Sequence, residues 1–252
     1  MYPMTVILYT LISVLAVSLL AFIGIFSLTI NAKRLKTVLI YLISFSAGAL
    51  LGDAFIHLLP EVVEEQGFSL TISLGVLGGI AMFFVLEKII HWQHCHLPIS
   101  EEHVHPFAYM NLIGDALHNF IDGIIIAASY VVSIPAGIAT TFAVALHEIP
   151  QEIGDFGVLV HGGFTRKSAL IVNFISALAA VLGAVLALWA ATLVEQIELV
   201  LVPIAVGGFI YIAGSDLIPE LHKETRLRRS ILQVIAFLLG IGVMWALLLL
   251  LE

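Results

Sequence analysis

The sequence predicts an all-α membrane protein, a polytopic bundle of eight transmembrane helices. Its 252 residues are 61% hydrophobic and only 11% charged, and the mean hydropathy is +1.12, values that a water-soluble domain does not reach. Dividing this length by the roughly 20 residues that cross a hydrocarbon core gives about eight spans. The polar residues recur at helical spacing and do not alternate along short segments, which excludes a transmembrane barrel.

Charged or turn-forming residues separate eight apolar runs, each long enough for one span. The predicted spans are residues 4–30, 37–60, 68–92, 107–131, 134–160, 167–194, 198–220 and 230–251. The first run has no basic segment before it and is too long for a signal-peptide core, so we expect a span there and no cleaved targeting segment. Residues 1–252 should therefore form one transmembrane domain, with a His-containing cytosolic loop at 93–106.

The basic residues predict the orientation, because short cytoplasmic connections retain Lys and Arg. With eight spans, all ten Lys and Arg residues fall on one side of the membrane. The opposite connections contain no Lys or Arg, and their charged residues are Glu61, Glu64, Glu65, Glu195 and Glu198. Both termini are therefore predicted to be extracytoplasmic.

Spans two and seven end in related sequences. Span two ends in His57-Leu-Leu-Pro-Glu61, and span seven ends in Asp216-Leu-Ile-Pro-Glu220. Such corresponding segments are typical of an inverted repeat, here arranged around central helices four and five. Two five-residue matches also arise by chance, so the sequence leaves both explanations open.

Span four contains polar groups that are costly to bury in a bilayer. A charged side chain near the bilayer centre costs at least about 2.5–3.5 kcal/mol on insertion scales, so such residues mark ion pathways or binding sites. Asn111, Asp115, His118 and Asp122 lie at i, i+4, i+7 and i+11. They therefore form one polar stripe along the helix.

Span five carries a matching set. His147, Gln151 and Asp155 lie at i, i+4 and i+8, and Glu148 and Glu152 form an adjoining stripe. The connection near residues 133–135 is short, so spans four and five should be antiparallel neighbours whose stripes face each other. Imidazole and carboxylate groups converging from two helices form the ligand set that suits zinc and other first-row divalent ions. The sequence thus predicts a metal site between these helices.

The predicted ligands divide into two sets and a group of weaker candidates. The first set is His118, Asp122, His147 and Gln151, and the adjoining set is Asn119, Glu148 and Glu152. Six further residues are candidates for lining the pathway, with plain interhelical hydrogen bonding as the alternative: Asp53, His57, Asp115, Asp155, Asn173 and Asp216.

Two local features adjoin this site. Pro150 removes a backbone donor and should leave the carbonyl of Leu146 without its helical partner. Glu87 and His91 close span three, where snorkelling to the interface explains them. In the following loop, His94, Cys95, His96, His103 and His105 could receive or sense metal ions, and a flexible polar loop is the alternative.

The motifs His118-Asn-Phe-Ile-Asp122-Gly and His147-Glu-Ile-Pro-Gln-Glu-Ile-Gly-Asp155 resemble the signature helices of the ZIP (Zrt/Irt-like protein) metal transporters. The similarity is to the subfamily whose fifth helix reads His-Glu-x-Pro-(His/Gln)-Glu. The resemblance implies a binuclear centre between spans four and five, with the principal site on His118, Asp122, His147 and Gln151 and the auxiliary site on Asn119 and Glu148. Many members have His where this chain has Gln151, and an amide oxygen is a weaker ligand that leaves the metal preference open.

The function predicted from these features is transport of a divalent transition-metal ion into the cytosol by alternating access. Zinc is the first expectation, with iron, manganese or cadmium as alternatives, and the plasma membrane is the expected location. The metal ion is substrate, and no organic cofactor is expected. The expected partners are metal ions and the lipid bilayer, and a homodimer is one oligomeric state left open. Nucleic acid is excluded because the basic residues form no continuous patch.

The principal alternative is an intramembrane zinc-dependent hydrolase, because His147-Glu148 begins the His-Glu-x-x-His pattern of zinc proteases. Gln151 replaces the second His, and Pro150 disturbs the helix that would hold both ligands. A membrane metal sensor without flux is a third hypothesis, but the spans leave no room for a separate signalling domain. We therefore expect a transporter and not an enzyme.

Overall fold

The computed structural model describes residues 3–28, 32–92, 106–194 and 197–251. These ranges are helical apart from short connections, and no strand occurs within them. The all-α fold predicted from the sequence is therefore confirmed. The His-containing loop predicted at 93–106 lies outside these ranges except for its last residue.

Eight long helices follow one another in the described part of the chain, and we label them α1 to α8. Their bounds are Met4–Ser18 continued by a 3₁₀ segment Leu19–Leu28 (α1); Ala32–Gly52, π-helical Asp53–Leu58 and Leu59–Gln66 (α2); Leu70–Trp92 (α3); Pro106–Val132 (α4); Ile134–His161 (α5); Arg166–Ala177 and Ala179–Leu193 (α6); Glu198–Tyr211, π-helical Ile212–Leu217 and Ile218–Leu221 (α7); and Leu227–Leu251 (α8).

Seven of these helices, all except α5, are long and apolar enough to cross a membrane. The α5 helix has 28 residues and is about 42 Å long at 1.5 Å per residue, but its His, Glu, Gln and Asp residues reduce its hydropathy. It packs against α1, α2 and α4 inside the bundle. The chain is thus a multi-pass integral membrane protein whose most polar long helix is enclosed by apolar ones.

The α2 helix extends beyond its predicted end. The sequence prediction ended span two at residue 60 because Glu61 is charged, whereas the helix continues to Gln66. It ends at Gly67, whose φ of 71° is a left-handed conformation that glycine adopts without steric cost. The residues after Pro60 therefore form two more helical turns toward the membrane surface.

The π-helical segments of α2 and α7 occupy corresponding positions. Each ends two residues before a proline, Pro60 in α2 and Pro219 in α7. A proline lacks the N–H donor, and its ring clashes with the carbonyl four residues earlier, so a local widening of the helix accommodates it. The two related sequence motifs thus adopt the same local geometry, which supports the inverted-repeat hypothesis.

The helices pack in two groups, with α1, α4, α5 and α6 in one and α2, α3, α7 and α8 in the other. Within the second group, α2 packs along α8, and α7 packs along α3. In an inverted repeat that relates α2 to α7, these two helix contacts are equivalent. Glycines lie at both contacts: Gly48 and Gly240 in the first, Gly79 and Gly207 in the second. Small residues let helix backbones approach closely in a membrane.

The α4 and α5 helices are joined by a single residue, Ser133. Its hydroxyl accepts a hydrogen bond of 3.1 Å from the backbone N–H of Ala136, which satisfies one free donor at the start of α5. So short a connection makes the helices antiparallel neighbours, as predicted. The polar stripes of α4 and α5 are thereby brought together.

Gly79 and Gly78 provide a matched test of this packing. A Cβ at Gly79 would lie 2.1 Å from the backbone oxygen of Ile204, whereas a Cβ at Gly78 would meet nothing within 4 Å. We expect Gly79→Ala to destabilise the protein by about 1–3 kcal/mol through overpacking and Gly78→Ala to leave it unchanged or slightly more stable. Thermal unfolding in detergent measures both, and equal melting temperatures for the two variants would contradict this packing.

Candidate metal centre

His147 lies at the centre of the polar region between α4 and α5, where it is only 2% exposed. Its Nδ1 lies 3.3 Å from the backbone oxygen of Ala143. A carbonyl oxygen can only accept a hydrogen bond, so Nδ1 donates and the lone pair of the neutral ring remains on Nε2. Nε2 of His147 is therefore the ring nitrogen that a metal ion would bind.

Three further ligand groups surround this nitrogen. His147 Nε2 lies 3.1 Å from Asp122 Oδ2, 3.4 Å from Glu148 Oε1 and 3.1 Å from His118 Nε2. His118 Nε2 in turn lies 3.7 Å from Asp122 Oδ2 and 3.6 Å from Glu148 Oε1. Ligands bound tetrahedrally at zinc distances are about 3.3 Å apart, so the four groups, His118, Asp122, His147 and Glu148, are spaced for one ion.

The carboxylates of this cluster have no other partners. All four oxygens of Asp122 and Glu148 are buried without a hydrogen bond of good geometry among the described residues. If these groups only joined two helices, hydrogen bonds should satisfy them, because an unpaired buried polar atom costs free energy. A cation bound between the carboxylates supplies the missing interaction.

The chemical character of the cluster also suits a divalent ion. Two neutral imidazoles and two carboxylates, supplied by His118, His147, Asp122 and Glu148, carry a total charge of −2. A bound dication therefore leaves no net charge in a region of low dielectric constant, where an uncompensated charge is costly.

Most of the remaining predicted ligands have partners elsewhere in the structure. Asn119 donates a 2.9 Å hydrogen bond to Asp115, and Glu152 accepts one from Asn173 of α6. Gln151 is half-buried and lines a cavity beside His118. The structure thus brings Glu148 into the compact group with His118, Asp122 and His147, and it places Gln151 on the cavity beside His118.

Pro150 has the expected local effect on α5. It lies inside the helix, and the carbonyl of Leu146, left without its helical donor, accepts a 2.6 Å hydrogen bond from Ser46 of α2. The predicted unpaired carbonyl is thereby satisfied by a side chain of a neighbouring helix, as is common where a proline interrupts a membrane helix.

A cavity of about 210 Å³ adjoins the cluster. It lies toward the side of the membrane on which α3, α5 and α7 end. The connections on this side carry the described Lys and Arg residues, and we call it the basic side. His118 and five polar residues line it: Glu87, Asn111, Asp115, Gln151 and Asp155. The His118 side chain is 18% exposed, whereas those of the other three cluster residues are at most 1% exposed. The cluster is therefore accessible from the basic side.

The opposite side of the membrane, which we call the acidic side, has a separate cavity of about 190 Å³ lined by His57, Glu61 and Glu64. His57 lies 3.2 Å from Asp53, and Asp53 accepts a 2.8 Å hydrogen bond from Thr140. Asp53 and Thr140 are fully buried, so they separate this cavity from the cluster.

Three sequence predictions remain, for Asp216, for the loop with Cys95 and for Glu87, and their outcomes differ. The side chain of Asp216 lies outside the described residues, as does the loop with Cys95. Glu87 was assigned to interfacial snorkelling, but it accepts a hydrogen bond from Tyr211 and lines the basic-side cavity. The sequence feature that could have indicated this role for Glu87 was a carboxylate within the α3 helix, about one turn before its end.

Glu148→Gln tests the cluster through two opposite effects. The change removes a ligand charge, so we expect zinc affinity to fall at least about tenfold. It also removes an unpaired buried carboxylate, so the metal-free protein should be more stable by about 1–3 kcal/mol. Isothermal titration and thermal unfolding measure the two effects. The exposed Glu220, paired with Lys223, provides the control Glu220→Gln, and a metal-free protein destabilised by Glu148→Gln would contradict the assignment.

Comparison with known proteins places this chain among metal transporters. A family model described as ZIP Zinc transporter matches residues 4–107 and 93–248. Zinc transporter ZIP13 of Danio rerio is 34% identical over 257 residues, which cover 81% of this chain and 74% of that protein. Zinc transporter ZIP13 of Pongo abelii is 38% identical over 218 residues, covering 81% and 65%, and Zinc transporter zipt-7.2 of Caenorhabditis elegans is 30% identical over 273 residues, covering 85% and 59%.

The matches thus span between about three fifths and three quarters of the length of these relatives. Both long polar motifs and nearly all the helices fall within the residues that the family model matches. This family consists of transporters and not of enzymes, in agreement with the expectation from Gln151 and Pro150. On this evidence the chain belongs to the ZIP zinc transporter family.

Proposed function

We propose that this chain transports divalent transition-metal ions, zinc first, into the cytosol through the cluster between α4 and α5. The observation that carries the proposal is the group of His118, Asp122, His147 and Glu148, whose ligand atoms all lie within 4.8 Å of one another and whose carboxylates lack other partners. The curated relatives are named as zinc transporters, which supports zinc as the first substrate.

The two cavities support an alternating-access mechanism. The basic-side cavity reaches His118, whereas the acidic-side cavity ends at His57. Between the acidic-side cavity and the cluster, α5 contributes Ala139, Thr140 and Ala143, all fully buried. Of these two cavities, the basic-side one reaches the cluster, and delivery of metal from the acidic-side one requires this layer to separate.

The grouping of the helices supplies a way to move the centre. All four cluster residues lie on α4 and α5, which belong to the same packing group. The second group, α2, α3, α7 and α8, is held together by its own glycine contacts. A sliding of the first group against the second would carry the complete ligand set from one side to the other without changing its geometry.

The direction of transport follows from the charge distribution. Short connections with Lys and Arg remain in the cytosol, so the basic side, with Arg166, Lys167 and Arg229, is proposed to be cytosolic. The described conformation would then be inward-facing, with the termini extracytoplasmic. We place the protein, as a multi-pass carrier, in the plasma membrane.

We keep Gln151 as a proposed ligand of the first ion and assign Asn119 and Glu152 to a proposed second ion of a binuclear centre. Glu152 and Asn173 form a fully buried pair next to the cluster, and Asn119 Oδ1 is buried without a partner. These oxygens could hold an ion beside Glu148, which would then bridge the two positions. The pair Asp53 and His57 is proposed as the entry to the path from the acidic side.

Uptake into liposomes tests transport directly. Purified protein should admit Zn²⁺ or Cd²⁺ to an encapsulated fluorescent indicator, and His118→Ala and His147→Ala should each reduce the rate at least tenfold because a ligand is lost. His161→Ala, a change at an exposed histidine on the same helix as His147, is the control and should retain the wild-type rate. Wild-type protein that binds zinc but gives no uptake above empty liposomes would exclude transport.

Gln151→His tests the metal preference. A nitrogen ligand in place of an amide oxygen favours zinc over manganese, so we expect the variant to shift competition between Zn²⁺ and Mn²⁺ toward zinc by about tenfold. The competition is measured in the same uptake assay with both ions present. An unchanged ratio would show that Gln151 does not contact the transported ion.

A further inference from the structure

Two carboxylates on the basic side of the metal centre have no role in the four-residue cluster. Asp115 of α4 and Asp155 of α5 both line the cavity of about 210 Å³ that also contains Gln151 and His118. Asp115 is only 5% exposed. The cavity is much larger than the roughly 10–15 Å³ needed for one water, so it can accept a partly hydrated ion.

Each of these carboxylates is held by an amide through one oxygen only. Asn119 donates to Asp115 Oδ1 at 2.9 Å, and Asn111 donates to Asp155 Oδ1 at 2.8 Å. The other oxygens, Asp115 Oδ2 and Asp155 Oδ2, are buried without a hydrogen bond of good geometry among the described residues, although the Ser176 and Gln151 side chains lie close to Asp115. The amides thus orient both groups and leave one oxygen of each available to a ligand.

An empty site of this kind is electrostatically unfavourable. Two carboxylates that share a cavity repel each other, and a buried oxygen without a donor loses its hydration without compensation. A divalent cation removes both costs, because it attracts both carboxylates and replaces the missing donors. A neutral ligand would relieve the second cost but not the first.

We propose that Asp115 and Asp155, beside Gln151, form an oxygen-only divalent-cation site between the metal centre and the basic side. This site rests on the proposed transport function, in which it receives an ion from His118 before release. Asp115 lies three residues, about one helical turn, before His118 on α4, and Asp155 lies eight residues, about two turns, after His147 on α5.

The chemistry of the two sites gives the transfer a direction. Imidazole ligands bind zinc and other late first-row ions more tightly than oxygen ligands do, whereas carboxylates, carbonyls and water suit magnesium, calcium and manganese. An ion that moves from His118 to an oxygen-only site is therefore held less tightly. It also regains water from the cavity, which prepares it for release.

Manganese binding to purified protein in nanodiscs tests the site without transport. The background is His147→Ala, which removes the principal nitrogen ligand, and the amount of free Mn²⁺ is read from its electron paramagnetic resonance signal. We expect one weak Mn²⁺ equivalent in this background and at least a tenfold weaker affinity after Asp115→Asn and Asp155→Asn are added. Glu220→Gln in the same background is the control and should leave the equivalent unchanged.

The same pair of substitutions in the otherwise native chain separates the two sites. Zinc should still bind the centre within about twofold of the wild-type affinity, because the cluster residues are intact, while uptake into liposomes should slow several-fold. Asn has almost the same shape as Asp, and gel filtration checks that the variant is folded. If the pair does not fold, Asp155→Asn alone, at the half-buried position, replaces it.

The outcomes distinguish this site from the transport proposal. An Mn²⁺ affinity that the two Asn substitutions leave unchanged would overturn the second site, whatever the uptake assay shows. Wild-type liposomes without uptake, combined with an Mn²⁺ equivalent that depends on Asp115 and Asp155, would overturn transport and the staging role and retain the cation site. Loss of the Mn²⁺ equivalent together with slowed uptake supports both.

Discussion

The central constraint in this molecule is the cost of an uncompensated charge inside an apolar helix bundle. The α4 and α5 helices carry five buried or half-buried carboxylates: Asp115, Asp122, Glu148, Glu152 and Asp155. Three of them are held by amide donors, from Asn119, Asn173 and Asn111, and two are not. The two without donors are the ones beside the paired histidines, where a cation can replace a donor. The distribution of amides therefore separates the carboxylates that the protein orients through an amide hydrogen bond from the two that receive none.

Much of this arrangement was predictable from residue spacing. Helical periodicity placed the stripes of α4 and α5, the short connection at Ser133 made them neighbours, and Pro150 indicated an unpaired carbonyl at Leu146. These inferences depend on local geometry, which a sequence carries. The bilayer strengthens them, because each polar residue within a span is costly and therefore informative.

The partners of individual side chains were less predictable. Glu148 was expected in the adjoining ligand set, whereas its carboxylate lies in the compact group with His118, Asp122 and His147. Residues three apart, such as Glu148 and Gln151, lie only about 60° from each other around a helix, so the tilt and bend of the helix decide how closely each approaches the site. The pairings of Asn173 with Glu152 and of Tyr211 with Glu87 likewise depend on packing between helices, which a single sequence does not encode in any local pattern.

The hydrogen bond from Ser46 to the carbonyl of Leu146 connects the two packing groups, because α2 belongs to one and α5 to the other. Thr140 and Asp53 form a second such connection between the same helices. Any sliding of the groups must break or exchange both bonds. They therefore act as a latch for the conformation open to the basic side. A net contribution of about 1 kcal/mol from one such bond would change the ratio of the two proposed conformations about fivefold, so the Ser46 hydroxyl would help to set the resting state from outside the metal centre.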